Sequence, residues 1–203
     1  MRDPDRTRAR IVQAAHHEFA TRGLEGARID EIARRAHINK QLLYHYFGGK
    51  EALYLHVLEE SYDRFRAKDE RLDVEALGPA QIIENLVGFI FDGTLEDLDF
   101  VSLLRDENMH QARHLKKSRR VQDIHTRVIE IISEALRRGE KQRIFRRGVD
   151  PLQFFLSMVG VVYFCFSNAH TLSVVFERDF LAPAELKQRR RHCIEFVTAG
   201  IRR

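Results

Sequence analysis

The sequence predicts an all-α protein made of two domains. Apolar residues recur at intervals of three and four over most of the 203 residues, which is the spacing of amphipathic helices. Glycines and Asp-Pro or Gly-Pro pairs separate these segments, and such residues are typical of helix ends. No convincing alternating pattern is present, and Val174-Val175-Phe176 is too short to predict a strand. The chain is long enough to bury a sizeable core.

The N-terminal quarter predicts a long helix followed by two short ones. Asp3-Pro4 resembles an N-cap with a proline in the first turn, and the helix that starts there should end at Gly23. A second helix is indicated by apolar residues at helical spacing, namely Ile29, Ile32, Ala33 and Ala36. Asn39 is placed to cap a third helix, which Leu43 and Phe47 anchor inward.

Residues 29–47 therefore predict a helix, a tight turn at His37-Ile38 and a second helix. In a helix-turn-helix, the second helix enters the major groove of DNA. Its base-reading candidates are Lys40, Gln41, Leu42, Tyr44 and His45. Glutamine can pair with adenine through two hydrogen bonds, lysine can donate to guanine, and Leu42 or Tyr44 can touch a thymine methyl group. A solvated helix face is the alternative interpretation.

This segment resembles the DNA-binding domain of the TetR family of bacterial transcriptional regulators. The resemblance covers residues 7–56, and its matching positions are Phe19, Gly23-Leu24, Ile32-Ala33, Leu43-Tyr44-His45-Tyr46-Phe47 and Lys50-Glu51-Ala52-Leu53. It implies that Tyr44, Tyr46 and Lys50 contact phosphates. Lys50 also follows two glycines at a helix start, where free amide groups favour a phosphate. Arg28 is a further candidate for a contact with DNA.

Two positions depart from the family pattern. His37 stands where the family usually has glycine in the turn, and histidine tolerates the left-handed backbone better than most residues. Ala27-Arg28 replaces the usual threonine or serine before the first helix of the motif. The missing hydroxyl puts one helix cap and one phosphate contact in question.

Residues 1–56 are predicted to form the DNA-binding domain, and residues 57–203 a helical effector-binding and dimerisation domain. In the second domain, Thr94 and Asp97 resemble a capping box. Phe65 and Ile124 are among the positions predicted to face inward. The resemblance implies that two apolar helices, 151–168 and 183–201, form a four-helix dimer interface. Two copies are also needed to read a palindrome, so a homodimer is predicted.

Two segments, 106–114 and 163–176, mix aromatic residues with amides and imidazoles, which suits a small-molecule pocket. The predicted effector-binding residues are Asn108, His110, Phe154, Met158, Tyr163, Phe166, Asn168 and Phe176. For any one of the polar residues, a position at an interface or a helix end is an equally good interpretation. His110 and His114 have the spacing of metal ligands, but no third ligand is evident. We therefore predict no metal and no cofactor.

Composition narrows the class of function. The net charge is +4, and residues 1–56 hold 10 Lys and Arg against 7 Asp and Glu, which modestly supports a nucleic-acid partner. Cys165 and Cys193 lie in apolar surroundings and are predicted to be buried rather than to form a redox pair. Without a run of about 18 apolar residues or a secretory leader, the chain is expected to be cytoplasmic and without a membrane partner.

These observations predict a transcriptional regulator that binds double-stranded operator DNA. The favoured hypothesis is a dimeric repressor that a small-molecule effector releases from its operator. One alternative is an architectural DNA-binding protein without an effector. An enzyme is a weaker alternative, because no Gly-x-Ser-x-Gly, phosphate loop or His-Glu-x-x-His is present.

Overall fold

The structure is a computed structural model that describes residues 3–69 and 74–203; of residues 65–69 and 122–126 it describes only the backbone. Within this part of the chain it has α1 (Pro4–Gly26), α2 (Ile29–Arg35), α3 (Lys40–Phe47), α4 (Lys50–Asp69), α5 (Pro79–Glu96), α6 (Leu98–Met109), α7 (Arg119–Lys141), α8 (Pro151–Ser167), α9 (Ala169–Val175) and α10 (Pro183–Ala199). A 3-10 turn, Leu115–Lys117, precedes α7. The described residues contain no strand, only an isolated antiparallel bridge between Phe145 and Arg202. The prediction of an all-α fold is confirmed.

The helices pack into two compact units. Unit 1 comprises Met1–Asp63 and Leu98–Gln122, and unit 2 comprises Arg64–Asp97 and Asp123–Arg203. Unit 1 therefore contains α6, which the sequence assigned to the second domain. The domain boundary at residue 56 remains a prediction.

In unit 1, α1 packs against α2 and α6, and α2 packs against α3. The core includes Phe19 and Tyr54, whose rings meet edge to face with 5.1 Å between their centroids. Asp3 caps α1 by accepting a hydrogen bond from the Asp5 amide at 3.0 Å, as predicted. At Gly23 the backbone leaves the helical region (φ 65°, ψ 174°), and one further turn carries α1 to Gly26.

In unit 2, α5 packs against α8 and α10, which also contact each other. Its core includes Phe91 and Phe166, with ring centroids 4.9 Å apart. Cys165 and Cys193 are buried and free, as predicted, and burial raises the pKa of both thiols.

One predicted helix boundary is wrong. The capping box expected at Thr94 does not form, because α5 continues through this residue to Glu96. The Thr94 hydroxyl instead donates to the Ile90 carbonyl at 2.7 Å, within the same helix. The positions predicted to face inward at Phe65 and Ile124 lie outside the residues whose side chains the structure describes.

No single helix of the described residues is long and apolar enough to cross a membrane. Only α8 and α9 taken together pass that test, and they are bent by 67° at the break between them.

Candidate functional site

The turn between α2 and α3 has the backbone that the sequence predicts. His37 adopts a left-handed conformation with φ 52°, and the Ile38 amide donates to the Ala33 carbonyl at 3.0 Å. The Asn39 side chain then accepts a hydrogen bond from the Leu42 amide at 2.7 Å. The turn and the cap together set where α3 begins.

The start of α2 lacks the side-chain cap that a threonine or serine would supply. The residue at this cap is Arg28, whose side chain makes no capping hydrogen bond. The Arg28 amide donates instead to a carboxylate oxygen of Glu18 in α1, at 3.4 Å. Glu18 is only 1% exposed and also pairs with Arg22 at 3.3 Å. This role of Glu18 was not predicted from the sequence, although a glutamate directly before Phe19, which was predicted to face inward, was a signal for it.

The outer face of α3 carries three of the predicted base readers. Leu43 is fully buried, whereas Gln41, Tyr44 and His45 are exposed. Residues three and four positions apart lie on one side of a helix, so the structure brings these three side chains together. Leu42 and Tyr46 are half-buried beside them. This arrangement offers amide, phenol and imidazole groups to a DNA groove.

Lys40, the fourth predicted base reader, is already engaged. Its ammonium nitrogen lies 2.9 Å from a carboxylate oxygen of Asp30 on α2. This hydrogen bond and the charge of Asp30 raise the pKa of Lys40. Both side chains are exposed, so a DNA base would compete with a surface ion pair.

Of the residues predicted to contact phosphates, Lys50 makes a hydrogen bond within unit 1. The Lys50 ammonium donates to the Glu25 carbonyl at 3.0 Å, at the end of α1. Before it, Gly48 adopts φ 76° and its amide donates to the Tyr44 carbonyl, which ends α3 and lets α4 start at Lys50. The Arg28 side chain is exposed at the start of α2. Contact between any of these residues and DNA remains a prediction.

The predicted effector residues fall in both units. Asn108 and His110 lie in unit 1, where each donates to a backbone carbonyl of α6, Leu104 and Asp106 respectively, at 2.8 Å. The other six lie in unit 2. Phe154, Met158 and Phe166 are buried, Tyr163 and Asn168 are half-buried, and Phe176 is 60% exposed.

Two of these residues, Phe154 and Met158, line a half-open cavity of about 300 Å³ in unit 2. It lies where the start of α8, the end of α10 and residues 146–150 meet. Its lining residues are Arg146, Gly148, Val149, Asp150, Gln153, Phe154, Ser157, Met158, Val161, Phe196, Val197, Gly200 and Ile201. Tyr163, Phe166, Asn168 and Phe176 do not line this cavity. The structure thus brings together only part of the predicted effector set.

A polar cluster that the sequence analysis missed ties α6 to α1 and α4. Asp106 accepts hydrogen bonds from the Leu24 amide at 2.9 Å and from the Tyr54 hydroxyl at 3.0 Å. Burial, followed by the charge of Asp106, raises the pKa of Tyr54. A Cβ at Gly23 would lie 2.5 Å from Asp106 Oδ1, so the kink in α1 needs glycine both for its positive φ and for this approach.

The neighbouring residue, Glu107, holds the loop that follows α6. Its carboxylate is 1% exposed and accepts hydrogen bonds from the His114 and Leu115 amides and from His114 Nδ1, at 2.7–2.9 Å. His114 and His110 are therefore held by different partners. Among the described residues, no group of three or more His, Cys, Asp and Glu side chains is placed to hold a metal ion.

Two protein-family models match the chain. Residues 11–57 match the family described as "Bacterial regulatory proteins, tetR family". Residues 79–197 match the family described as "Tetracyclin repressor-like, C-terminal domain", and this match alone spans more than half of the chain.

Curated proteins and solved structures agree with these matches. The HTH-type transcriptional repressor NicS of Pseudomonas putida is 34% identical over 169 residues, which cover 83% of this chain and 80% of that protein. The HTH-type transcriptional repressor SCO4008 of Streptomyces coelicolor is 56% identical over 59 residues, 29% of this chain and 31% of that protein. The crystal structure of the putative transcriptional regulator SCO4942 from Streptomyces coelicolor matches with a TM-score of 0.72 at 25% identity, and covers 96% of this chain and 98% of that chain.

Proposed function

The chain belongs to the TetR family of bacterial transcriptional regulators, and we propose that it is a dimeric repressor that a small-molecule effector releases from operator DNA. The similarity to NicS and SCO4008, both named as transcriptional repressors, supports the sign of regulation. Because the proposed partner is operator DNA, we propose a cytoplasmic location.

One observation carries the DNA-binding role: the exposed face of α3 presents Gln41, Tyr44 and His45 while Leu43 fixes the helix to the core. The major groove admits an α-helix, and each base pair there shows a distinct set of donors and acceptors. A rigid helix with polar side chains on its outer face meets that requirement. Lys50 and Tyr46 flank the face and would set its register through phosphates.

The experiment starts from an operator selected in vitro from random duplexes with the full chain. Gln41→Ala should weaken binding to that operator by about 1–3 kcal/mol and relax the preference at one base position. Lys50→Ala should weaken all duplexes alike and reduce the slope of log affinity against log salt by roughly one unit.

Gln188, exposed on α10, provides the matched control, since Gln188→Ala makes the same change away from α3. The proposal fails if Gln41→Ala and Gln188→Ala leave the same affinity and the same base preference. It also fails if no duplex is enriched above the background of random sequences.

The proposed dimer interface is the exposed side of α8. Leu152, Leu156 and Phe164 are each more than half exposed, and they recur every four residues with Gly160 between them. An apolar stripe of this kind on a helix of a soluble domain is typical of a helix–helix interface. A second copy packed on this stripe would hold two α3 helices for a two-fold symmetric operator.

Effector control is supported by one structural observation, a cavity in unit 2. The cavity beside Phe154 and Met158 supports a ligand site in unit 2, at the low end of the volumes that small-molecule pockets have. An effector that prefers the conformation with the wrong spacing of the two α3 helices would lower the affinity for DNA. A screen for metabolites that raise the melting temperature, followed by release of labelled operator, tests this part separately.

A further inference from the structure

The cavity in unit 2 has an apolar floor and a basic edge. Phe154, Met158 and Val197 are nearly or fully buried along the floor. Phe196 lines the open side and remains 58% exposed. An apolar group placed here would cover Phe196 and would itself leave water, which is favourable in proportion to the area covered.

The basic edge is built by two segments that run antiparallel. The bridge between Phe145 and Arg202 joins them, with hydrogen bonds from the Arg146 amide to the Ile201 carbonyl at 2.8 Å and from the Arg203 amide to the Ile144 carbonyl at 3.2 Å. The exposed cationic residues gathered on these segments are Lys141, Arg143, Arg146, Arg147, Arg202 and Arg203. Like charges this close give a positive potential at the mouth of the cavity.

Three carboxylates belong to the same region, and each has a partner. Asp150 lines the cavity and accepts a hydrogen bond from the Gln153 amide at 2.7 Å, which caps α8. Glu140 Oε1 lies 3.7 Å from Arg147 Nε, and Glu84 Oε1 lies 4.0 Å from Arg202 Nη2. The six cationic residues outnumber these carboxylates and the exposed Glu195, which precedes Phe196 on α10, so the edge stays positive.

Arg146 is the cationic residue that lines the cavity itself. Its Nε donates to the Gly200 carbonyl at 3.0 Å, which fixes the guanidinium beside the end of α10. Among the described residues it has no ion pair with a carboxylate. A guanidinium has five N–H donors, so groups remain for a carboxylate ligand.

We propose that this cavity binds a small anionic amphiphile, with its apolar body on Phe154, Met158 and Phe196 and its carboxylate on Arg146. Charge complementarity at the edge and the apolar floor together select this class over neutral or cationic molecules of the same size. The inference rests on the proposed function and deepens it, because it names the ligand class of the cavity proposed above as the effector site. Binding to the cavity is measured whether or not the ligand releases DNA.

The test compares three probes that share one apolar body. Octanoate, 1-octanol and octylammonium are titrated into the full chain by calorimetry at neutral pH, with inorganic phosphate as a fourth probe. Octanoate should bind saturably, and both other octyl compounds should bind at least about tenfold more weakly, because the charge-assisted hydrogen bond to Arg146 is lost.

Two variants locate the site. Arg146→Gln should weaken octanoate about tenfold, because its guanidinium lines the cavity. Arg147→Gln, at the adjacent and 90% exposed arginine outside the lining, should weaken it clearly less, because this residue contributes only to the potential at the edge. Ser157→Phe, at an exposed position of the lining, should block binding by filling the cavity while far-UV circular dichroism stays the same. DNA affinity is measured on each variant, so a failed repressor function is told apart from a failed ligand site.

Four outcomes of the titrations with octyl compounds would overturn the inference. They are no saturable binding of octanoate, equal binding of octanoate and octanol, equal loss in the two arginine variants, and undiminished binding in Ser157→Phe. Binding of inorganic phosphate as tight as octanoate would also overturn it, since the site would then be an adventitious ion site only.

Discussion

Lys40, at the start of α3, and Lys50, at the start of α4, are each held by an acceptor from a neighbouring helix. Lys40 pairs with Asp30 at 2.9 Å, and Lys50 donates to the Glu25 carbonyl at 3.0 Å. Sequence patterns predicted both lysines as DNA contacts but not these partners, because Lys50 and Glu25 are 25 residues apart. Each contact restrains the lysine, and it would have to be broken or shared if that lysine contacts DNA as predicted.

The pair formed by Lys40 and Asp30 gives the first prediction. Asp30→Asn should tighten binding to the selected operator by up to about fivefold, because an exposed ion pair is worth roughly 0–1 kcal/mol and would no longer compete with DNA. Fluorescence anisotropy with labelled duplex measures the change. Glu130→Gln, at an exposed residue of α7 paired with Arg127, is the control for a general loss of negative charge.

A double-mutant cycle decides whether Lys40 is responsible. If Lys40 reads DNA once it is freed, the gain from Asp30→Asn should disappear in a chain that also carries Lys40→Ala. A gain that persists without Lys40 would show that Asp30 acts only through its repulsion of phosphates.

Among the helices, the sequence predicted best those whose ends carry local signals. Asp3, Asn39 and Asp150 each cap a helix as their type and position indicate, and His37 turns left-handed as required. Local hydrogen bonds determine where such helices begin, so a short stretch of sequence is sufficient to predict these helix ends. The prediction of a helix cap at Thr94 is wrong, because the same hydroxyl can instead donate to a carbonyl one turn earlier in the helix. The local sequence allows both arrangements, and α5 adopts the second by continuing to Glu96.

The sequence could not tell which apolar side of α8 and α10 faces the core and which faces outward. Val197 and Leu156 look alike as apolar residues of long helices, yet Val197 is 6% exposed and Leu156 is 54% exposed. Both a core and an interface need apolar side chains, so periodicity alone does not separate them. A charge at Val197 would therefore test folding, whereas a charge at Leu156 tests assembly.

This difference gives a prediction for α8. If α8 forms the proposed dimer interface, Leu156→Glu should give a monomer, because the partner helix would bury a carboxylate without a counter-charge. Sedimentation equilibrium measures the mass, and thermal unfolding checks the fold. Leu95→Glu, at a leucine 37% exposed on α5, makes the same change away from the stripe and should leave the mass unaltered. A wild-type chain that sediments as a monomer at micromolar concentration would contradict the prediction before any variant is made.

At the scale of the whole molecule, the packing joins segments that are far apart in sequence. Unit 1 takes in Leu98–Gln122 as well as the N-terminal helices, and the hydrogen bonds from Leu24 and Tyr54 to Asp106 span 82 and 52 residues. Motifs in the first 56 residues cannot reveal such partners, since nothing local in the sequence marks Asp106 as the acceptor. The boundary predicted at residue 56 and this division of the chain lead to different expectations for α6.

Native-state hydrogen exchange on Asp106→Ala distinguishes them. The substitution leaves the Leu24 amide and the Tyr54 hydroxyl without their acceptor, which should cost about 1–3 kcal/mol. If unit 1 opens as one cooperative body, amides of α1 and α6 should lose protection together while those of α10 keep theirs. Asp92→Ala is the matched control, because Asp92 accepts two hydrogen bonds from Arg190 within unit 2 and its loss should lower protection in α5 and α10 instead. Should α6 keep its protection in Asp106→Ala while α1 loses its own, the helix would belong energetically with the second domain, as the boundary at residue 56 implies.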